Sequence, residues 1–272
     1  MKITYLGTAA AEGFPALFCN CAYCKEARRL GGKNIRTRSQ TLINNDLLID
    51  FPPDTYHHFL NCGIEGDLIK HVLITHSHHD HLYVDDFNMR GSAFSHDERV
   101  KELEVFASGN AYERLAKGVN RPEIKLNELT PFVTATVGDY EVTQLPARHG
   151  AGKIGAVNYI VKGDKTLLYL HDTGYPYEQT FSFIKDRGFV FDMVSYDCTN
   201  VMIPISDEGS HMGIPNNIRV RDRLRKIGAI NDATVSVINH FSHNGNPLYD
   251  NLTELVKDEG FLVSYDGFSV EI

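Results

Sequence analysis

The run Thr75-His76-Ser77-His78-His79-Asp80-His81 constrains this chain more than any other feature. A short apolar strand, His71–Thr75, delivers it to a loop, and side chains at the C-terminal end of a strand can converge on one point. Imidazole and carboxylate are borderline-to-hard ligands suited to Zn, Mn or Fe. His76, His78, Asp80 and His81 together exceed the needs of one open catalytic metal, so the run predicts two metals sharing a site. Further acceptors stand alone where later strands end: His149 after Pro146, Asp172 after Leu170 and His240 after Asn239. Metals ~3.5–4 Å apart need a shared anionic ligand to limit their repulsion, and Asp172 suits that position.

The rest of the chain supplies a scaffold of mixed strands and helices. Strands are expected at Lys2–Gly7, Leu103–Ala107, Met193–Asp197, Thr234–Asn239 and Phe261–Tyr265. Hairpins are expected for 41–43 with 47–50, for 132–137 with 140–146 around Gly138-Asp139, and for 157–162 with 166–170 around Gly163-Asp164. Helical spacing covers Tyr177–Arg187, Asn216–Ile227 and Leu248–Lys257, with another helix from Asn110. No linker, repeat or low-complexity stretch divides the 272 residues. One α/β domain over 1–272 is therefore expected, with two facing sheets and helices outside.

Composition narrows the partners. Lys+Arg 27 against Asp+Glu 35 gives a net charge of −8, which disfavours nucleic acid as a ligand. No apolar run approaches the ~20 residues that span a bilayer. Met1–Ala10 holds one short apolar patch and does not read as a signal peptide. With no density of paired cysteines, the cytoplasm is the expected compartment.

Taken together, these residues resemble the metallo-β-lactamase superfamily, whose hallmark is His-x-His-x-Asp-His followed by a distant His, Asp and His. The resemblance implies a four-layer αββα sandwich of two mixed sheets. It implies one metal on His76, His78 and His149, a second on Asp80, His81 and His240, and Asp172 between them. Asp50 matches the acid that orients the motif loop. Family members that perform oxygen chemistry carry glutamate in place of the second histidine, so His78 favours hydrolysis. One departure is visible: many members place a glycine soon after the motif, whereas this chain continues Leu82-Tyr83-Val84-Asp85-Asp86.

A second cluster is Cys19-x-Cys21-x-x-Cys24, with thiolate spacing for tetrahedral zinc but only three ligands. His243, three residues after His240, is the best candidate for the fourth. Cys62 and Cys198 are expected to pack as small apolar groups. The cysteine motif, with His-x-x-His near the C-terminus, is similar to the PhnP type of cyclic phosphodiesterase, which opens phosphoribosyl 1,2-cyclic phosphate. The PqqB type shares the cysteines. Gly7–Pro15 and the strand ending in Asp197-Cys198 carry the same resemblance, and His211 falls where the family meets the substrate phosphate or protonates the leaving oxygen.

The expected activity is hydrolysis of a small cyclic or nucleotide-like phosphodiester by metal-activated water. Asp80 and Asp172 would act at the metals, and His211 would act as the acid. The cofactors would be two divalent metals (Zn or Mn, with Fe a further option) and one structural Zn, and the partners a phosphorylated small molecule and a second copy of the chain. Arg90 and Arg148 are candidates for holding a second phosphate and equally for plain surface charge. The remaining histidines, His57, His58, His71, His79, His96 and His171, are expected to play no part. Competing readings are an RNA 3′-processing nuclease or thioester/lactone hydrolase on the same fold, and a zinc-organised binding protein without catalysis.

Overall fold

Two seven-stranded sheets face one another in the computed structural model, which describes residues 1–91, 93–150 and 155–272. In chain order the first sheet takes β1 (Lys2–Gly7), β2 (Gln40–Ile43), β3 (Leu47–Ile49), β4 (His71–Leu73), β5 (Leu103–Ala107) and β6 (Ile124–Glu128). The second takes β7 (Thr134–Val137), β8 (Tyr140–Pro146), β9 (Val157–Lys162), β10 (Thr166–Leu170), β11 (Met193–Asp197), β12 (Val235–Asn239) and β13 (Phe261–Val263), and β14 (Phe268–Glu271) returns to pair with β1. Both sheets are mixed. β3 to β6 run parallel in the first, and β10 to β13 run parallel in the second.

Alternation along the strands builds the layers. Tyr5, Ile49, Leu73, Tyr159, Leu167, Tyr169 and Val237 point between the sheets and form one core. Leu168, Leu170, Val194 and Ile238 point the other way, beneath α5 (Glu178–Asp186), α6 (Ile214–Lys226) and α7 (Tyr249–Val256). On the opposite flank Leu48, Val72, Ile74 and Val105 pack under α3 (Val84–Phe87) and α4 (Gly109–Gly118). The four layers are the expected αββα sandwich. Three tyrosines in the inter-sheet core keep their hydroxyls paired, as burial demands. Tyr159 donates to the Ile74 carbonyl at 2.6 Å, Tyr5 meets Ser195 at 2.6 Å and Tyr169 meets Thr41 at 3.2 Å.

Turn chemistry behaves as read. The β7–β8 hairpin pairs Val137 with Tyr140, so Gly138-Asp139 is a two-residue loop and Gly138 takes φ 55°. Gly188, φ 67°, stops α5. Several elements were not expected: α1 (Ala22–Leu30), α2 (Thr55–Cys62), α3, β6 and β14. For α1 the reason is chemical. Its cap is Cys21, whose sulfur accepts from the Cys24 amide at 3.4 Å, where Ser, Thr, Asp or Asn would have signalled a helix start. Cys198 is buried as expected, but Cys62 ends α2 at the surface and is exposed, which corrects the reading of it as a packed apolar group.

His58 on α2 is buried between Gln40, at 2.6 Å from Nδ1, and Thr37, at 2.7 Å from Nε2. Burial pulls its pKa from 6.5 down to about 4, against the pull of Asp54. Between those two values the unfolded chain takes up a proton that the folded chain refuses. Stability present above the upper value is therefore lost as pH falls through the window, by about 3 kcal/mol in full. Urea midpoints for the wild type and His58→Gln should show the wild type losing its advantage toward acid. An advantage that does not change with pH would contradict this.

Candidate metal centre

Strand direction brings the site together. β8, β10, β11 and β12 all run the same way, as do β3 and β4, so the residues just past their ends meet along one rim. Val157 N donates to the Thr75 carbonyl at 2.9 Å and, with Tyr159, ties the base of the histidine loop to the second sheet.

Two donor groups form there. In the first, His76 Nε2 lies 3.0 Å from His78 Nδ1, which lies 3.2 Å from His149 Nε2. In the second, Asp80, His81 and His240 bring one ligand atom each to within 4.8 Å of one another. Asp172 stands between the groups. Its Oδ2 is 2.9 Å from both His81 Nε2 and His240 Nε2, and its Oδ1 is 3.7 Å from His149 Nε2. His81 Nε2, His240 Nε2 and Asp172 Oδ2 are all buried, and although each nitrogen lies 2.9 Å from the oxygen, none makes a hydrogen bond of proper geometry. Buried polar atoms are rarely left so, at a cost of about 1–3 kcal/mol each. Three of them converging on one point fit a divalent cation, and the imidazole and carboxylate donors suit one chemically.

The electrostatics agree. Burial disfavours a charge on His81, but Asp172, Asp50 and Asp80 override it and hold the imidazole well above its usual range. A place that stabilises a proton so strongly also stabilises a metal ion. Burial raises Asp172, and His240 and His81 more than offset it, holding the carboxylate well below its usual range. His76, buried and beside His81, is held low and therefore neutral, as a ligand must be.

Three of the candidate donors are aimed by a second contact, which fixes the free ring nitrogen. His81 Nδ1 donates to Asp50 Oδ2 at 2.7 Å, and Asp50 Oδ1 accepts from the Thr75 amide at 2.8 Å. His149 Nδ1 donates to the Ser210 carbonyl at 3.2 Å, and His240 Nδ1 meets the Thr199 hydroxyl at 2.8 Å. Asp50, Asp172 and His240 all take positive φ, 67°, 51° and 64°. Backbone this costly for residues other than glycine is kept where the surrounding structure holds it, and such places cluster at functional sites.

His211 sits over the same rim. Its Nδ1 is 3.0 Å from Asp197 Oδ2, and its ring stacks 5.7 Å from that of His240. Burial would lower its pKa, but Asp197 prevails and brings it up to about 9. Asp197 is itself held by the amides of Thr199 and Met212, at 3.0 and 3.1 Å. Sequence reasoning gave no role to Asp197, Thr199 or Ser210. Asp197 ends a strand just as Asp172 follows one, a signal that was there to use, whereas Ser210 acts through its carbonyl and leaves none.

The other histidines stay out of the centre. His79 is exposed on the loop, and His57 and His96 are exposed elsewhere. His71 faces Glu104 at 3.2 Å. His171 points between the sheets, with Ser195 2.7 Å from its Nε2 and Asn239 donating to its Nδ1 at 3.3 Å. It thereby joins the residues preceding Asp172 and His240. Arg90 donates to the Val100 carbonyl behind the first sheet, away from the centre, while Arg148 lies at its edge. The stretch without glycine is accommodated readily: Leu82 is buried and bridges to Phe51, and α3 starts at Val84.

Cys19, Cys21, Cys24 and His243 bring three sulfurs and one nitrogen within 4.8 Å of one another. His243 Nδ1 is 3.7 Å from both Cys21 Sγ and Cys24 Sγ, against roughly 3.6 Å for a nitrogen–sulfur edge of a tetrahedral zinc site. The imidazole, then the Cys24 amide, bring Cys21 down to about 6. Glu12 accepts from the Ser242 hydroxyl at 2.6 Å and stands 4.0 Å from His243 Nε2.

Residues 46–237 match the family model for the beta-lactamase superfamily domain, and the chain belongs to that superfamily of metal-dependent hydrolases. No curated protein sequence matches the chain. Among solved structures, a diphosphatase from the PhnP family is similar over 100% of this chain and 97% of the other, with TM-score 0.73 and 20% identity. Zn(2+)-bound PqqB from Methylobacterium extorquens is similar over 100% of both chains, with TM-score 0.70 and 18% identity. The short form of human tRNase Z is similar over 100% and 99%, with TM-score 0.66 and 14% identity. These likenesses establish the metallo-β-lactamase fold. Among the described residues, no helix is long and apolar enough to cross a membrane.

Proposed function

We propose that this chain is a phosphodiesterase for a small cyclic or nucleotide-like phosphodiester, working with two divalent cations. His76, His78 and His149 would hold one, Asp80, His81 and His240 the other, and Asp172 would contact both. The observation that carries this reading is the carboxylate of Asp172, which turns one oxygen to each donor group, Oδ2 buried 2.9 Å from His81 and His240 Nε2 and Oδ1 3.7 Å from His149 Nε2. When bound, such a pair lowers the pKa of a water toward neutrality and offsets charge on phosphoryl oxygens. Two of the three neighbours described above, a diphosphatase and a tRNase, carry names that denote cleavage at phosphorus, which supports the choice of substrate.

The chain's own residues supply aim and the proton. Asp50, Ser210 and Thr199 turn His81, His149 and His240 so that their Nε2 atoms face inward. Asp197 occupies Nδ1 of His211 and leaves Nε2 free to give a proton to the departing alkoxide. The ring is only partly covered, so a ligand entering from solvent can reach it.

His211→Ala should lower turnover of a diester with a poor leaving group by about 10²–10⁴-fold, the range for a positioned general acid. A p-nitrophenolate leaving group needs little protonation, so its loss should be much smaller. Equal losses on both substrates would remove His211 from the acid role. The reaction class is tested with bis(p-nitrophenyl) phosphate against S-lactoylglutathione, each with added Zn or Mn. Turnover of the thioester alone would overturn the phosphodiesterase reading.

A further inference from the structure

Asp172 and His240 follow strands that do not pair with each other. Asp172 comes after β10 and His240 after β12, with β11 between, so the sheet ladder ties each strand to β11 and neither to the other. Neighbouring strands lie ~4.8 Å apart, which leaves ~9–10 Å between the outer two. Both residues also take positive φ, 51° and 64°, a backbone that surrounding contacts must hold. Their donor atoms nevertheless come to 2.9 Å of one another. The spacing therefore has to be carried across β11 by side chains.

His171 is the side chain that crosses. Its ring lies fully buried between the sheets, and both nitrogens are engaged. Nε2 meets Ser195 Oγ of β11 at 2.7 Å, and Ser195 meets the Tyr5 hydroxyl of the facing sheet at 2.6 Å. On the far side of β11, Asn239 Nδ2 donates to His171 Nδ1 at 3.3 Å, while Asn239 Oδ1 accepts from the Ser264 hydroxyl at 2.5 Å. The bond from Ser264 fixes which end of the amide faces the ring. Tyr169 packs on the imidazole with centroids 3.8 Å apart, and Asn158 donates to the His171 carbonyl at 2.9 Å. Tyr5, His171, Ser195, Asn239 and Ser264 are all buried, so a broken link strands a polar group away from water.

A histidine with both nitrogens so engaged has none to offer a metal or a substrate. Its chemistry is to connect. His171 stands directly before Asp172, and Asn239 directly before His240, so a shift in their contact moves the two donors relative to each other. The first donor group hangs instead on the ends of β4 and β8. We infer that His171 is a positioning residue for the second donor group, the buried tether between Asp172 and His240 that sets how tightly a cation is held there. This rests on the reading of a cation at Asp80, His81, His240 and Asp172, and deepens it. It departs from the expectation that His171 plays no part.

The test is metal retention. Metal-replete protein is dialysed against graded free-zinc buffers, and zinc per chain is counted by mass spectrometry, with the thiolate-bound ion identified as the one missing from Cys21→Ser. His171→Phe keeps a flat ring and loses both nitrogens. It should release one rim metal at about 10–100-fold higher free zinc than the wild type, the scale on which contacts behind a metal ligand act. His171→Asn should stay within a few fold of the wild type despite the space it leaves, because its amide can take the place of Nδ1 and keep the Asn239 contact. Three results would overturn the inference: release from His171→Phe matching the wild type, release from His171→Asn as early as from His171→Phe, or a loss shared equally by the thiolate-bound zinc. Each would leave the ring a packing role alone. If His171→Phe does not fold, Ser264→Ala decides, since it frees the Asn239 amide without touching the ring. The same metal should then loosen severalfold, and unchanged release overturns the inference. A wild type with fewer than two zinc ions outside the cysteine cluster would instead overturn the two-metal reading beneath it.

Discussion

Asp172→Ala should abolish diester hydrolysis, lowering kcat/KM by roughly a thousandfold or more, the scale of removing a preorganised charge from a reacting centre. The reason is geometric. Among the described residues, Asp172 is the carboxylate whose two oxygens face different donor groups, at 2.9 Å from His81 and His240 and 3.7 Å from His149. Without it, two cations would sit close together with no anion between them. The cysteine cluster draws on other residues and on thiolate donors, so a metal held there should remain. Metal content measured beside turnover separates the two sites: the variant should lose catalytic metal and keep thiolate-bound zinc. Turnover within a few fold of the wild type would remove Asp172 from the role given to it.

Cys21→Ser should act on stability first. A structural zinc contributes folding free energy outright, and losing one of four ligands should lower Tm by on the order of 10 °C. The site holds more than itself. His243 shares a loop with His240, and that loop is tied to the N-terminal run by Phe241 N to the Thr8 carbonyl at 2.9 Å and Ala10 N to the Phe241 carbonyl at 3.0 Å. Buried Arg36 lies 4.5 Å over the Phe241 ring and donates to Thr8 and to the Ser264 carbonyl, closing the same corner. Releasing His243 should therefore loosen His240 and reduce activity as well, without opening a new specificity. Calorimetry and zinc content both unchanged in Cys21→Ser would contradict a structural metal at this cluster.

The convergence of the candidate donors was legible because they sit at strand ends. Four candidate ligands lie within six residues, and His149, Asp172 and His240 each come at or shortly after a run read as a strand. The contacts that aim those ligands were less visible. Ser210 offers a backbone carbonyl and Thr199 a hydroxyl of a common type, so neither stands out before the loop is folded. The same holds for elements with unusual signals. Sulfur caps α1, and β14 is a half-exposed edge strand with no continuous apolar run. Arg148 is a position that the sequence left open between a phosphate contact and a surface charge. It lies beside His149, donates to the Tyr175 carbonyl and to Glu208, and stacks over Tyr177, contacts that only the folded chain shows.

The most direct test is an anomalous-scattering map from crystals of metal-replete protein. Two peaks about 3.5–4 Å apart should lie among His76, His78, Asp80, His81, His149, Asp172 and His240. A third should lie among Cys19, Cys21, Cys24 and His243. No peak between Asp172 and the 76–81 loop in such crystals would contradict the assignment of a metal hydrolase centre to these residues.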